Sequence, residues 1–168
     1  MRQILLSKQA IIAFTLCAVG TLLAAAGDDG LKAPNGFKDW YFANSMLLTT
    51  DQNKFGLNAG NHLIYINAKG LERFKRGDAS GPYPDGTVFV DDVRSYTTDG
   101  GAYLDAGRKF LTTMVKDSKK YASTGGWGFQ AWVGGDPSKP VVMDAAKQCF
   151  ACHTSQKAHD FAFSTYVD

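Results

Sequence analysis

The sequence predicts an α+β fold, and three features carry that prediction. Short runs such as His62-Leu63-Ile64-Tyr65-Ile66-Asn67 and Thr87-Val88-Phe89-Val90-Asp91 are rich in β-branched and aromatic residues and read as strands. Glycine, proline and aspartate cluster between such runs and mark turns. Other short segments carry helical spacing rather than alternation. With 168 residues, 45% of them hydrophobic, and no repeat or low-complexity run, the chain has the material for one core and one domain.

The elements follow in order. Phe37 to Leu48 places apolar residues at 37, 40, 41, 47 and 48, which predicts an amphipathic helix. Gly56 to Gly60 is a loop, and His62 to Asn67 is the first strand. A short helix over Ala68 to Lys75 ends at Gly77. The stretch Gly81-Pro82-Tyr83-Pro84-Asp85-Gly86 is dense turn chemistry, followed by the strand Thr87 to Asp91 and a turn at Asp99-Gly100-Gly101. Arg108 to Lys116 admits two readings. Its Phe110, Leu111, Met114 and Val115 fit a helix face, whereas Thr112-Thr113 and Val115 favour a strand. Gly125 to Val133 reads as a strand that opens with a bulge or a tight approach, Asp136 to Pro140 as a loop, and Val141 to His153 as a final helix.

Charge narrows the function. Lys and Arg total 18 against 16 Asp and Glu, which excludes a strongly basic nucleic-acid binder and an acidic tail. Residues 1–26 have Arg2 and Lys8, no acid, an apolar middle, and Ala24-Ala25-Ala26 before Gly27. These are the three parts of a cleavable export signal; an uncleaved membrane anchor is the alternative. Removal of residues 1–26 leaves 27–168 as a single domain of 142 residues with 16 basic and 16 acidic groups. The pI near 8.4 therefore belongs to the precursor. Cys17 leaves with the signal, so the exported chain keeps Cys149 and Cys152.

Those two cysteines lie in Cys149-Phe150-Ala151-Cys152-His153, the C-x-x-C-H attachment pattern of haem c. Two thiols at this spacing reach the two vinyl groups of one porphyrin, and the following imidazole becomes the axial iron ligand. A zinc site would need two more ligands from few histidines. A thioredoxin-like dithiol would follow a strand, and a disulfide across two residues is strained. Only 15 residues follow His153 and none is Met, so a downstream methionine ligand is impossible. Met46, Met114, Met143 and His62 all precede the motif and read better as packing or structural residues, which leaves a five-coordinate iron with one open face.

The motif Cys149 to Thr154, the segment Val115-Lys116-Asp117-Ser118-Lys119-Lys120-Tyr121, the run Gly126-Trp127-Gly128-Phe129 and the turn Tyr83-Pro84-Asp85-Gly86-Thr87-Val88 together resemble the cytochrome P-460 and cytochrome c′-β family, from about Trp40 to Tyr166. The resemblance implies a mostly antiparallel β-sheet with flanking helices, haem c attached on the C-terminal helix, and a periplasmic homodimer. In the P-460 branch, which oxidises hydroxylamine, a lysine cross-links to the porphyrin and a glutamate accepts a proton. Matching the motifs puts the lysine position on Asp91, the glutamate position near Thr112, and an arginine position on His62. All three depart from that branch. Asp91 itself reads as a solvated or turn-capping carboxylate rather than a base.

The c′-β branch caps its iron with aromatic side chains. Phe89 lies two residues before Asp91, on the same strand face, and is the first candidate cap, with Phe55 second. Arg108 is a candidate partner for a haem propionate, with Lys116 and Arg94 behind it. Trp127, Phe129 and Trp132 are expected to be buried apolar mass. The expected protein is a periplasmic mono-haem cytochrome with an apolar distal pocket that binds NO and CO for scavenging, buffering or sensing, with a redox partner protein left unnamed. The alternatives are a hydroxylamine or NO oxidoreductase and a simple electron carrier.

Overall fold

The structure, a computed structural model, describes residues 30–49, 59–76 and 81–167. Residues 1–26, expected to be an export signal, Phe55 and most of the loop at 56–60 lie outside these residues. Five strands form one sheet: β1 (Tyr41–Leu48), β2 (Gly60–Ile66), β3 (Val88–Asp99), β4 (Ala102–Lys116) and β5 (Trp127–Val133). They lie in chain order, each antiparallel to its neighbours. This is the α+β fold with a mostly antiparallel sheet that was expected. Among the described residues no helix is long and apolar enough to cross a membrane.

Helix α1 (Ala68–Lys75) falls where the sequence placed it. Asn67 caps it by accepting from the Gly70 amide at 3.3 Å, and its side-chain amide also donates to the Gly86 carbonyl at 2.9 Å. Gly70, Arg73 and Phe74 form the buried stripe. A Cβ at Gly70 would stand 2.4 Å from Thr87, so glycine is what lets the helix sit against the start of β3.

Three predicted elements need correction, and a fourth, Arg108 to Lys116, is resolved between its two readings. Phe37 to Leu48 is no helix: a 3-10 turn at Phe37–Asp39 leads into β1. The apolar spacing was compatible with both periods, and pairing with β2 decides it, aided by Phe42 against Tyr65 and Tyr41 against Phe74. The strand at Thr87 to Asp91 continues to Asp99 as half of a long hairpin closed at Gly100-Gly101. Arg108 to Lys116 is strand, because β4 is paired on both sides and its β-branched residues suit that position. The final helix starts late. Residues 139–141 run along the edge of β5, with Val141 donating to the Ala131 carbonyl at 2.9 Å. Helical structure begins with a π-turn at Ala146–Phe150 and continues through α2 (Ala151–His153) into a 3-10 turn at Thr154–His159.

Alternation along the strands gives the sheet two different faces. On the first, Ile66, Phe89, Met114 and Phe129 form one cross-strand row, and Ile64, Asp91, Thr112 and Ala131 form the next. The C-terminal segment packs here, with Ala145, Cys149, Phe150, Phe161 and Ala162 joining the core. On the second face Val90 and Leu111 pack against Phe37.

Candidate cofactor site

Cys149 lies in the π-turn, and Cys152 and His153 lie in α2. Turns of π type widen the helix and recur at functional sites. Both thiols are unpaired; Cys149 is half-buried in the first-face core and Cys152 is exposed. Burial, with a smaller contribution from Cys152, pushes the Cys149 thiol up to about 11. The thiol is therefore protonated at neutral pH.

His153 is oriented by its own chain. Its Nδ1 lies 2.7 Å from the Phe161 carbonyl oxygen. A carbonyl only accepts, so the proton sits on Nδ1 and the lone pair of Nε2 is available to a metal. Burial holds the imidazole below its ordinary value, against the opposing effect of the Phe161 bond, so the ring is neutral. Phe129 and Phe163 flank it with ring centres 5.0 Å away. Two free thiols at haem c spacing, a neutral imidazole with one nitrogen committed and the other available, and aromatic walls fit a covalently attached haem.

The turn that presents the Phe161 carbonyl is tightly held. Lys116, 4% exposed, pairs its Nζ with Asp160 at 2.8 Å and also donates to the Gly125 carbonyl. The other Asp160 carboxylate oxygen accepts from the Tyr83 amide at 2.8 Å, and the Asp160 carbonyl accepts from Trp127 Nε1 at 2.8 Å. Gly125 has φ +65, and a Cβ there would stand 2.4 Å from the Phe161 ring.

Phe89 is buried, and its ring meets Phe74, Tyr83 and Trp127. It shares a cluster with Cys149 and lies one row from Asp91. The sheet brings His62, Asp91 and Thr112 together, the three positions that the resemblance assigned to distal side chains. Asp91 stands opposite Thr112 in the ladder, and His62 Nδ1 is 2.7 Å from Asp91 Oδ2. The remaining oxygen, Asp91 Oδ1, is buried with no hydrogen-bond partner among the described residues. Burial raises the Asp91 carboxyl above the ordinary range, and the His62 hydrogen bond and charge only partly offset it.

Two expectations are corrected. Asp91 is partly buried and paired with His62 rather than solvated or turn-capping, and the same face also carries Thr112 opposite it and the Lys116–Asp160 pair. Arg108 is turned away from the motif. It bonds through Nε and Nη2 to Asp92, at 2.5 and 3.1 Å, and lies over Phe37 on the second face. Arg94 also pairs with Asp92 there, and Lys116 pairs with Asp160. Sequence reasoning missed Asp160 and Phe161 altogether. No local pattern links Asp160 to Lys116, its partner 44 residues away.

Residues 34–164 match the sequence profile of the family described as Cytochrome P460. No curated protein matches the chain in sequence.

Proposed function

The chain belongs to the cytochrome P460 family, whose members carry haem c with its iron, and on that premise we propose that it is an exported gas-binding cytochrome. In this reading residues 1–26 direct it to the periplasm, where it works as a homodimer. Cys149 and Cys152 would hold one haem through thioether bonds, and His153 would offer Nε2 to its iron. The haem supplies an iron with one open face for a diatomic ligand such as NO or CO.

The observation that carries the reading is the second row of the first face. It presents Ile64, Asp91, Thr112 and Ala131, and the motif match sets Asp91, a carboxylate, at the position of the cross-linking branch's amine. The lysine on that face, Lys116, is held by Asp160 and the Gly125 carbonyl. His62 is tied to Asp91, Met143 is 69% exposed, and Met114 is packed between Phe89 and Phe129, which supports an open sixth position. Phe89, two residues from Asp91 on the same face, is the aromatic cap of the proposal.

Stopped-flow binding of NO and CO to the ferrous holoprotein tests this. Wild-type protein is expected to bind both, and Phe89→Ala to bind NO faster. Unchanged gas kinetics would remove Phe89 as the cap. One observation favours a second reading, a hydroxylamine or NO oxidoreductase: Asp91 has an unpartnered oxygen and a raised carboxyl, the properties of a proton acceptor. Turnover of hydroxylamine, lost in Asp91→Asn, would select that reading. An electron-transfer role would instead require a redox partner protein and a six-coordinate iron.

A further inference from the structure

Asp160 and Phe161 are the two non-glycine residues with positive φ among the described residues, at 51° and 66°. L residues rarely adopt this region, and two in succession persist only where surrounding structure enforces them. The enforcement is visible. The Asp160 side chain is fixed by Lys116 and by the Tyr83 amide, its carbonyl by Trp127, and the Phe161 amide donates to the Gln156 carbonyl at 2.8 Å. The Lys116 ammonium also lies 4.9 Å from the Trp127 ring centre.

The contorted turn delivers the Phe161 ring to Phe150 of the motif and the Phe161 carbonyl to His153 Nδ1. We propose that the Lys116–Asp160 ion pair is a positioning device for His153, holding the turn at 160–161 in its left-handed form and so fixing the imidazole's tautomer, orientation and basicity. The inference rests on the reading of His153 as the axial ligand. Lys116 lies on β4, 37 residues before His153, and does not touch it; it acts through Asp160 and the intervening carbonyl. A partner on Nδ1 raises the basicity of a ligating imidazole and strengthens its metal bond, which is the usual role of groups behind a metal-bound histidine.

The iron–histidine stretching band in the resonance Raman spectrum of the ferrous holoprotein reads this bond directly. Lys116→Met and Asp160→Asn are expected to shift the band to lower frequency, by similar amounts and in the same direction. The double variant is expected to shift it no further, since both remove one interaction. Lys116→Arg is expected to restore most of the wild-type frequency. Asp160→Asn keeps an oxygen for the Tyr83 amide, so it tests the proposal even if Lys116→Met does not fold. A lowered melting temperature in these variants with an unmoved band would overturn the proposal and leave the pair merely structural. A wild-type protein without an iron–histidine band would instead remove the premise that His153 ligates iron.

Discussion

Asp91 and Asp92 are neighbours in β3, yet alternation sends them to opposite faces of the sheet and into opposite electrostatic conditions. Asp92 is fully buried on the second face, and burial alone would raise its carboxyl. Hydrogen bonds from Arg108, with the charges of Arg108, Arg94 and Lys38, outweigh burial and hold it below the ordinary range. Asp91 retains some exposure, but one oxygen is buried without a partner and the other has only His62, so burial wins and the carboxyl rises. The difference teaches that the number of cationic partners decides the state of each carboxylate, more than depth does. It also separates roles. The second face satisfies its charges with one another, whereas the first face, where the C-terminal segment with its cysteines packs, keeps an unsatisfied polar atom beside the motif's core.

The largest expected effect on this contrast comes from Phe89→Ala. Removing a buried ring from the first-face core should cost about 3–5 kcal/mol, measured by denaturant unfolding, and should alter gas kinetics as well. Asp92→Asn should cost less, about 2–3 kcal/mol at neutral pH, because its cations reach solvent and are partly rehydrated once unpaired. Its haem spectrum should be that of wild type. Since the folded carboxyl lies below the unfolded value, the Asp92 contribution is present above the ordinary carboxylate range and is lost as pH falls through the depressed value. The stability gap between Asp92→Asn and wild type should therefore close in acid.

Gly125→Ala should follow at about 1–2 kcal/mol for an L residue forced to positive φ, with the Phe161 ring displaced. Because that ring belongs to the turn facing His153, the variant should perturb the haem spectrum, unlike Asp92→Asn. Asp91→Asn is expected to change stability least, by under about 1 kcal/mol, and with the opposite sign. Its folded carboxyl lies above the unfolded value, so its contribution is favourable at low pH and is lost as pH rises through the folded value. Wild type should be no more stable than Asp91→Asn at neutral pH, with any advantage of the variant vanishing in acid. A thermal-unfolding series against pH on both asparagine variants would show the two gaps moving in opposite directions.

Much of this was legible in the sequence where local chemistry decides structure. The turn at Asp99-Gly100-Gly101, α1 and the C-x-x-C-H motif each depend on residues within a few positions of one another. Failures occurred where pairing across the chain decides. Phe37 to Leu48 is strand because β2 lies beside it, and Arg108 faces away because a register shift between Val93 and Arg94 breaks the alternation that would set it on the face of Phe110 and Thr112. The His62–Asp91 and Lys116–Asp160 pairs span 29 and 44 residues, and no local pattern announces either. Phe89 and Asp91 were placed correctly on one strand face, because two-residue periodicity is a local property.

On the proposed reading this chain would hold an ordinary haem c, not cross-linked, with one iron face open and Asp91 in place of an amine. The optical spectrum of the purified ferrous protein tests this most directly. A high-spin, five-coordinate haem c spectrum is expected. A strongly red-shifted Soret band, the mark of a cross-linked macrocycle, or a low-spin six-coordinate spectrum would contradict it.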